Sequence, residues 1–92
     1  MNAEQLQIKS IALLDDMERR LVSTLGHSAW VLSLPDTPLK VEVLTEIRQS
    51  LISLLKQLER VERGDKESFD RKLQRFIDAA QKGVADIEKV SA

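Results

Sequence analysis

Apolar residues recur every three or four positions along most of the chain, which is the spacing of one face of an α-helix. The most regular run lies near the middle of the sequence and consists of Leu44, Ile47, Leu51, Leu54, Leu58 and Val61. Steps that alternate between three and four residues over nearly three heptads are typical of a helix packed along its whole length. This pattern predicts an all-α fold.

The first predicted helix covers residues 3–25. Its apolar stripe consists of Leu6, Leu13, Leu14, Met17, Leu21 and Leu25. Asn2 can cap the start of this helix, and Gln5, three residues later, can complete a capping box. Gly26 follows the stripe directly, and glycine commonly ends a helix because it readily adopts left-handed backbone angles. We therefore expect the helix to end there.

The second and third predicted helices cover residues 38–63 and 66–90. Thr37 is a good N-cap for the second helix, and Pro38 suits the first helical position, where its missing N–H is not needed. Asp65 can cap the third helix. The stripe of that helix consists of Phe69, Leu73, Phe76, Ala80, Gly83, Ile87 and Val90.

Gly83 lies in the middle of the third stripe, where a glycine is less favourable than an alanine by about 1 kcal/mol. We expect the close approach of a neighbouring helix to offset this loss. Only a few residues join the second and third helices, so these two should form a long antiparallel hairpin. Together with the first helix they predict a three-helix bundle. Residues 1–92 form a single domain, because the chain is too short to build a second core.

The composition of the chain argues against most catalytic and metal-binding functions. The chain has 14 Lys and Arg against 15 Asp and Glu, no cysteine and one histidine. A nucleophilic site needs a nucleophile beside an oriented base, and a helical di-metal site needs histidines on two helices. We therefore predict a non-enzymatic protein with no catalytic, cofactor or metal site. No apolar stretch approaches the ~20 residues of a membrane span, and the first residues lack a signal-peptide pattern, so we expect a cytoplasmic protein.

The predicted connection between the first two helices, residues 26–37, is unusually apolar. It contains the only tryptophan of the chain and a single formal charge, that of Asp36. One interpretation is a lid in which Trp30 and Leu34 fill the open end of the bundle. The other is a docking patch for a partner protein, formed by Trp30, Val31 and Leu34, with Val31 and Leu32 able to face inward while Trp30 faces outward. His27, just past the predicted helix end, is expected to lie near the last helix carbonyls.

Further apolar residues lie beside the main stripes. On the first helix they include Ile8, Ile11 and Val22, and on the second they are Val41, Ile52 and Leu55. A monomeric bundle needs only one stripe per helix, so the surplus predicts self-association, most simply a homodimer through Ile8, Ile11, Val41, Ile52 and Leu55. The favoured function is a small protein–protein interaction module, namely an adaptor, a small regulator or inhibitor, or a secretion-type chaperone.

The alternative function is RNA or DNA binding by the helical hairpin. Basic residues cluster around the turn between the second and third helices: Arg60, Arg63, Lys66, Arg71, Lys72 and Arg75. Acidic residues are interleaved with them, which weakens any basic stripe, and the net charge of −1 gives no support to a polyanionic partner. Nucleic-acid binding is therefore the less favoured interpretation. If the hairpin binds RNA or DNA, its affinity for the nucleic acid should fall steeply as the salt concentration rises.

The self-association hypothesis makes a direct prediction. Ile52→Lys should shift the protein from dimer to monomer, because a charge buried in an apolar interface is unfavourable without a partner. Sedimentation or light scattering measures the mass. An unchanged mass would count against an interface on the second helix.

Overall fold

The computed structural model of the chain describes residues 3–61 and 67–91, and the side chains of residues 12–61, 67 and 69–90. It contains three α-helices: α1 (Ala3–Leu32), α2 (Pro38–Glu59) and α3 (Glu67–Ser91). All three pairs of helices pack against each other, and the Cα atoms extend over 52 × 17 × 17 Å. The described residues form no strand. The predicted all-α three-helix bundle is confirmed.

The α2–α3 pair is the predicted antiparallel hairpin. The Arg48 guanidinium donates to one carboxylate oxygen of Glu88 through Nη2 at 2.7 Å and Nε at 3.1 Å. Three residues further along α2, Leu51 contacts the position of Gly83, five residues earlier in α3. Because the paired residue numbers move in opposite directions, the two helices run antiparallel.

The α1–α3 pair runs parallel. Lys72 near the start of α3 lies 3.5 Å from a carboxylate oxygen of Glu18 in α1. Further along both helices, Gly83 lies beside Leu25. The C-terminal ends of α1 and α3 are therefore at the same end of the bundle as the N-terminus of α2.

The core follows the predicted stripe of α2. Leu44, Leu51 and Leu58 are fully buried. The other buried apolar residues are Leu14, Met17, Leu21 and Val31 of α1, Ile47 and Leu54 of α2, and Leu73, Ile77, Ala80 and Ile87 of α3. The predicted stripes of α1 and α3 are wrong at two positions, because Leu13 is 47% exposed and Val90 is 43% exposed.

Gly83 is the point where all three helices meet. A Cβ atom at this position would lie 2.6 Å from Leu25 Cδ2 of α1 and 3.1 Å from Leu51 Cδ1 of α2. Both separations are shorter than an ordinary carbon–carbon contact of about 3.5–4.0 Å. The leucine side chains thus occupy the space that a larger residue would take, and the predicted close approach at Gly83 is confirmed.

The predicted end of α1 at Gly26 is wrong. The helix continues to Leu32, no described glycine has a positive φ, and the connection shrinks from residues 26–37 to residues 33–37. Continuing the helix places Ser28 and Val31 on the core face, where they are 3% and 2% exposed. Burial of a valine contributes about 1.5–3 kcal/mol, which exceeds the loss of about 1 kcal/mol for a glycine within a helix.

The start of α2 agrees with the prediction, but its end does not. Thr37 is the N-cap, its Oγ1 accepts from the Lys40 N–H at 3.2 Å, and Pro38 is the first helical residue. The helix ends at Glu59 with Arg60 as C-cap, four residues before the predicted end at 63. The predicted caps Asn2 and Asp65 lie outside the described residues.

The two described glycines should respond oppositely to substitution. Gly26→Ala should raise the free energy of unfolding by about 1 kcal/mol, because its Cβ meets nothing within 4 Å and alanine favours the helix. Gly83→Leu should lower it by about 1–3 kcal/mol, because the added atoms overpack the core. Urea unfolding at low protein concentration, followed by circular dichroism, measures both. Equal effects of the two substitutions would contradict this arrangement.

Candidate interaction site

The α1–α2 corner, residues 26–41, holds the rare residues of the chain in one compact arrangement. It comprises the last two turns of α1, the connection 33–37 and the first turn of α2. The last four carbonyls of a helix have no partner within the helix, so an abrupt turn must satisfy them in another way.

Each of those carbonyls has a partner here. The Ser33 N–H donates to Ala29 O at 3.3 Å and to Trp30 O at 3.1 Å, and the Ser33 hydroxyl donates to Trp30 O at 2.6 Å. The Leu34 N–H donates to Val31 O at 3.1 Å. The fourth carbonyl, that of Leu32, accepts from a side chain of the next helix.

That side chain is Lys40, which is 7% exposed. Its Nζ donates to Leu32 O at 3.1 Å, to Leu34 O at 2.7 Å and to Asp36 Oδ1 at 3.0 Å. A cation near a helix C-terminus is also favoured by the helix dipole. Lys40 thus ties the end of α1 to the start of α2.

Sequence reasoning missed Lys40, although a signal was present. Lys40 lies four residues before Leu44, so extending the α2 stripe backward places it on the buried face. A lysine at a core position needs partners for its charge. Those partners come from the end of the preceding helix, which the sequence alone placed seven residues too early.

Trp30 points away from the core. Its side chain is 61% exposed, whereas the adjacent Val31 is 2% exposed. Leu32 is half-buried and packs against the core, and Leu34 is half-buried. The interpretation of Trp30 as a lid filling the bundle end is therefore wrong. Of the three predicted docking residues, Val31 belongs to the core, and Trp30 and Leu34 offer surface.

His27 is exposed and lies one helical turn before Trp30, with the two ring centroids 6.1 Å apart and the planes tilted by 31°. It is within α1, five residues before the helix ends. The expected position near the terminal carbonyls is therefore wrong, and Ser33, Leu34 and Lys40 supply the donors for those carbonyls.

The surface around Trp30 is poor in charge and rich in apolar residues. Residues 21–35 contain no Lys, Arg, Asp or Glu, in a chain that is 32% charged. Six large apolar side chains are exposed among the described residues, and four of them lie at this end of the bundle: Trp30, Leu39, Val41 and Val90. Depletion of charge with enrichment of aromatic residues distinguishes the centre of an interface from ordinary surface.

The residues predicted for self-association have different environments. Val41 is 49% exposed, Ile52 is half-buried, and Leu55 is half-buried and packs against the core. The side chains of Ile8 and Ile11 lie outside the described part of the chain. Leu55 therefore serves the bundle itself, and Val41 offers the most surface among the described members.

The basic cluster at the α2–α3 turn is partly neutralised. Arg71 pairs with Glu67 at 3.2 Å. Lys72 lies 3.6 Å from Asp15 and 3.5 Å from Glu18, and its Nζ is 5.8 Å from the centroid of the Phe76 ring. Arg63 and Lys66 lie outside the described residues. These acidic neighbours reduce the local potential that a polyanion would encounter.

An open groove of about 660 Å³ runs between α1 and α2. Its walls are mostly hydroxyl and amide side chains, and it is lined by Arg20, Ser23, Thr24, Glu46, Gln49, Ser50, Ser53, Leu54 and Gln57. No imidazole lies among these residues to activate a serine. Within the described ranges, no three His, Cys, Asp or Glu residues lie close enough together to hold a metal ion. None of the described helices is long and apolar enough to cross a membrane.

Substitution of the buried Lys40 should affect stability more than substitution of Asp36, the acidic partner of its ion pair. Lys40→Met keeps the aliphatic stem but removes the donor, and it should lower the free energy of unfolding by about 1–3 kcal/mol because the partly buried carbonyls of Leu32 and Leu34 lose a donor. Asp36→Ala should lower it by less than about 1 kcal/mol, because the Asp36 side chain is 92% exposed. Denaturant unfolding measures both. A larger effect for Asp36 would contradict the assignment.

Comparison of the chain with protein-family models, with curated proteins and with solved structures gave no match. The geometry of the α1–α2 corner therefore has to supply the functional inference.

Proposed function

We propose that the protein is a small non-enzymatic helical module that binds other protein surfaces through the α1–α2 corner. The observation that supports this is the exposure of Trp30, at 61%, directly beside Val31, which is buried in the core. A tryptophan exposed on a regular helix buries a large area on binding, and Trp is among the residues that dominate binding energy at protein interfaces.

The backbone of the corner is also fully hydrogen-bonded at the end of α1 within the single chain. Every one of the last four α1 carbonyls has a hydrogen-bond donor, and Lys40 joins the two helices. The helix thus fixes the backbone position from which Trp30 projects. Because binding then orders few further groups, less conformational entropy is lost on association.

An adaptor, a small regulator or inhibitor, and a secretion-type chaperone all act by such binding, and each remains within this proposal. The location in the cytoplasm stays a prediction. The nucleic-acid alternative is the less favoured one, since two of the four described basic residues of the turn, Arg71 and Lys72, are paired with acidic side chains.

The proposal predicts that binding depends on Trp30 specifically. Affinity-tagged protein is incubated with lysate of the cells that naturally contain it, with and without nuclease. We expect Trp30→Ser to abolish capture of the partner and nuclease to leave capture intact. Leu13→Ser is the matched control, because Leu13 is another exposed apolar residue of α1, at 47%, far from the corner. It should bind as the unsubstituted protein does.

Stability separates a binding role from a core role. Trp30→Ser should lower the free energy of unfolding by less than about 1 kcal/mol, as for a surface residue. A loss of about 3–5 kcal/mol would assign Trp30 to the core. Nuclease-sensitive capture that ignores the substitution would instead favour nucleic-acid binding.

A further inference from the structure

No contact among the described residues explains a glycine at position 26. It lies inside α1, its φ is not positive, and a Cβ atom built on it meets nothing within 4 Å. Gly83, by contrast, is required by the contact with Leu25 and Leu51. A glycine within a helix is unfavourable, and no contact among the described residues offsets that loss at Gly26.

The residues one turn to either side of Gly26 are large, apolar and exposed. Val22 is 64% exposed and Trp30 is 61% exposed, each four residues from the glycine. Residues four apart lie on one inclined row of a helix surface. Val22, Gly26 and Trp30 thus form a ridge with a gap at its centre, and Ala29 beside them is also exposed. We name these four residues the notched face.

A second copy of α1 has the same four-residue spacing of Val22, Gly26 and Trp30 as the notched face. When two antiparallel helices cross with Gly26 against Gly26, residue 30 of each is opposite residue 22 of the other, because the steps of plus four and minus four coincide. Residues 22 and 30 each lie about 6 Å along the helix axis from Gly26, in opposite directions. A twofold axis through Gly26 therefore places each Trp30 against a Val22.

Charge favours the same partner. On a twofold axis every residue near the axis faces a copy of itself, so a formal charge there would meet a like charge. Residues 21–35 carry none. The nearest formal charge on α1 is that of Arg20, six residues before Gly26, and antiparallel pairing places it near the uncharged Leu32 of the second copy.

We propose that the notched face binds a second copy of this chain, with the two α1 helices antiparallel and crossing at Gly26. Interdigitation of four-residue rows is the commonest class of helix packing. The contact covers few turns of one helix, so it belongs with the smaller interfaces, which associate weakly and reversibly. This inference rests on the proposed function and names its partner.

The first test is the mass of the full chain from about 1 µM to about 1 mM, measured by sedimentation. We expect a reversible dimer. Emission from Trp30, the only tryptophan, should shift to shorter wavelength as the dimer forms. Gly26→Leu fills the gap, points into open space in the single chain, and should weaken dimerisation at least about tenfold with helicity retained.

Ala12→Leu is the matched control, because it adds the same side chain at another exposed position of α1. It should leave dimerisation unchanged. Tighter or unchanged dimerisation of Gly26→Leu would overturn the proposal, as would a dimer that Ile52→Lys dissociates and Gly26→Leu does not.

Cysteine cross-linking tests the antiparallel geometry, since the chain has no cysteine of its own. Gly26→Cys should form a disulfide with its own copy under mild oxidation, because the two positions face each other across the axis. Ala12→Cys should not. Residue 12 lies fourteen residues from Gly26, which separates the two copies of it by about 42 Å in antiparallel helices. Efficient cross-linking of Ala12→Cys would overturn the arrangement.

The inference and the proposed function can fail separately. A chain that is monomeric at every concentration but captures a different protein in a Trp30-dependent way overturns the second copy and leaves the proposed function standing. A monomer that shows no Trp30-dependent capture overturns both.

Discussion

The contact of Gly83 with Leu25 and Leu51 sets the relation of all three helices. Here a side chain from α1 and a side chain from α2 both occupy the space beside α3. This contact fixes the distance between the helices and their relative height. The ion pairs that flank the core, Arg48 with Glu88 and Lys72 with Glu18, agree with the same register, but they are partly exposed to solvent and contribute little by themselves.

The second constraint is the reversal of direction between α1 and α2. The connection is only five residues long, and a buried lysine supplies the donor that the last α1 carbonyl lacks. Because α1 continues as a regular helix to Leu32, Val31 lies on its core face and Trp30 faces solvent. The hydrogen bonds of the corner satisfy the carbonyls at the end of that helix.

The two described glycines, Gly26 and Gly83, both lie within helices, but they differ in the residues that surround them. At Gly83 the neighbours are two core leucines, and the loss in helix propensity is offset within the molecule. A Cβ atom at Gly26 would have no neighbour within 4 Å, and one turn away on either side the helix carries the exposed Val22 and Trp30. An uncharged surface with a gap between two apolar side chains is suited to another helix, and this connects the proposed interaction function with the inferred second copy.

The sequence by itself determined the all-α fold, the α2–α3 hairpin, the buried stripe of α2, the start of α2 at Thr37-Pro38 and the close approach at Gly83. These features depend on periodicity and on local capping chemistry, which are readable along the chain. Only the tertiary structure decided that α1 passes through Gly26, that Lys40 is buried and that Trp30 faces outward. In each case a local preference competes with a tertiary interaction. Gly26 favours a helix end, but the burial of Val31 outweighs that preference. Lys40 favours solvent, but its Nζ donates to the Leu32 carbonyl, which has no partner within α1.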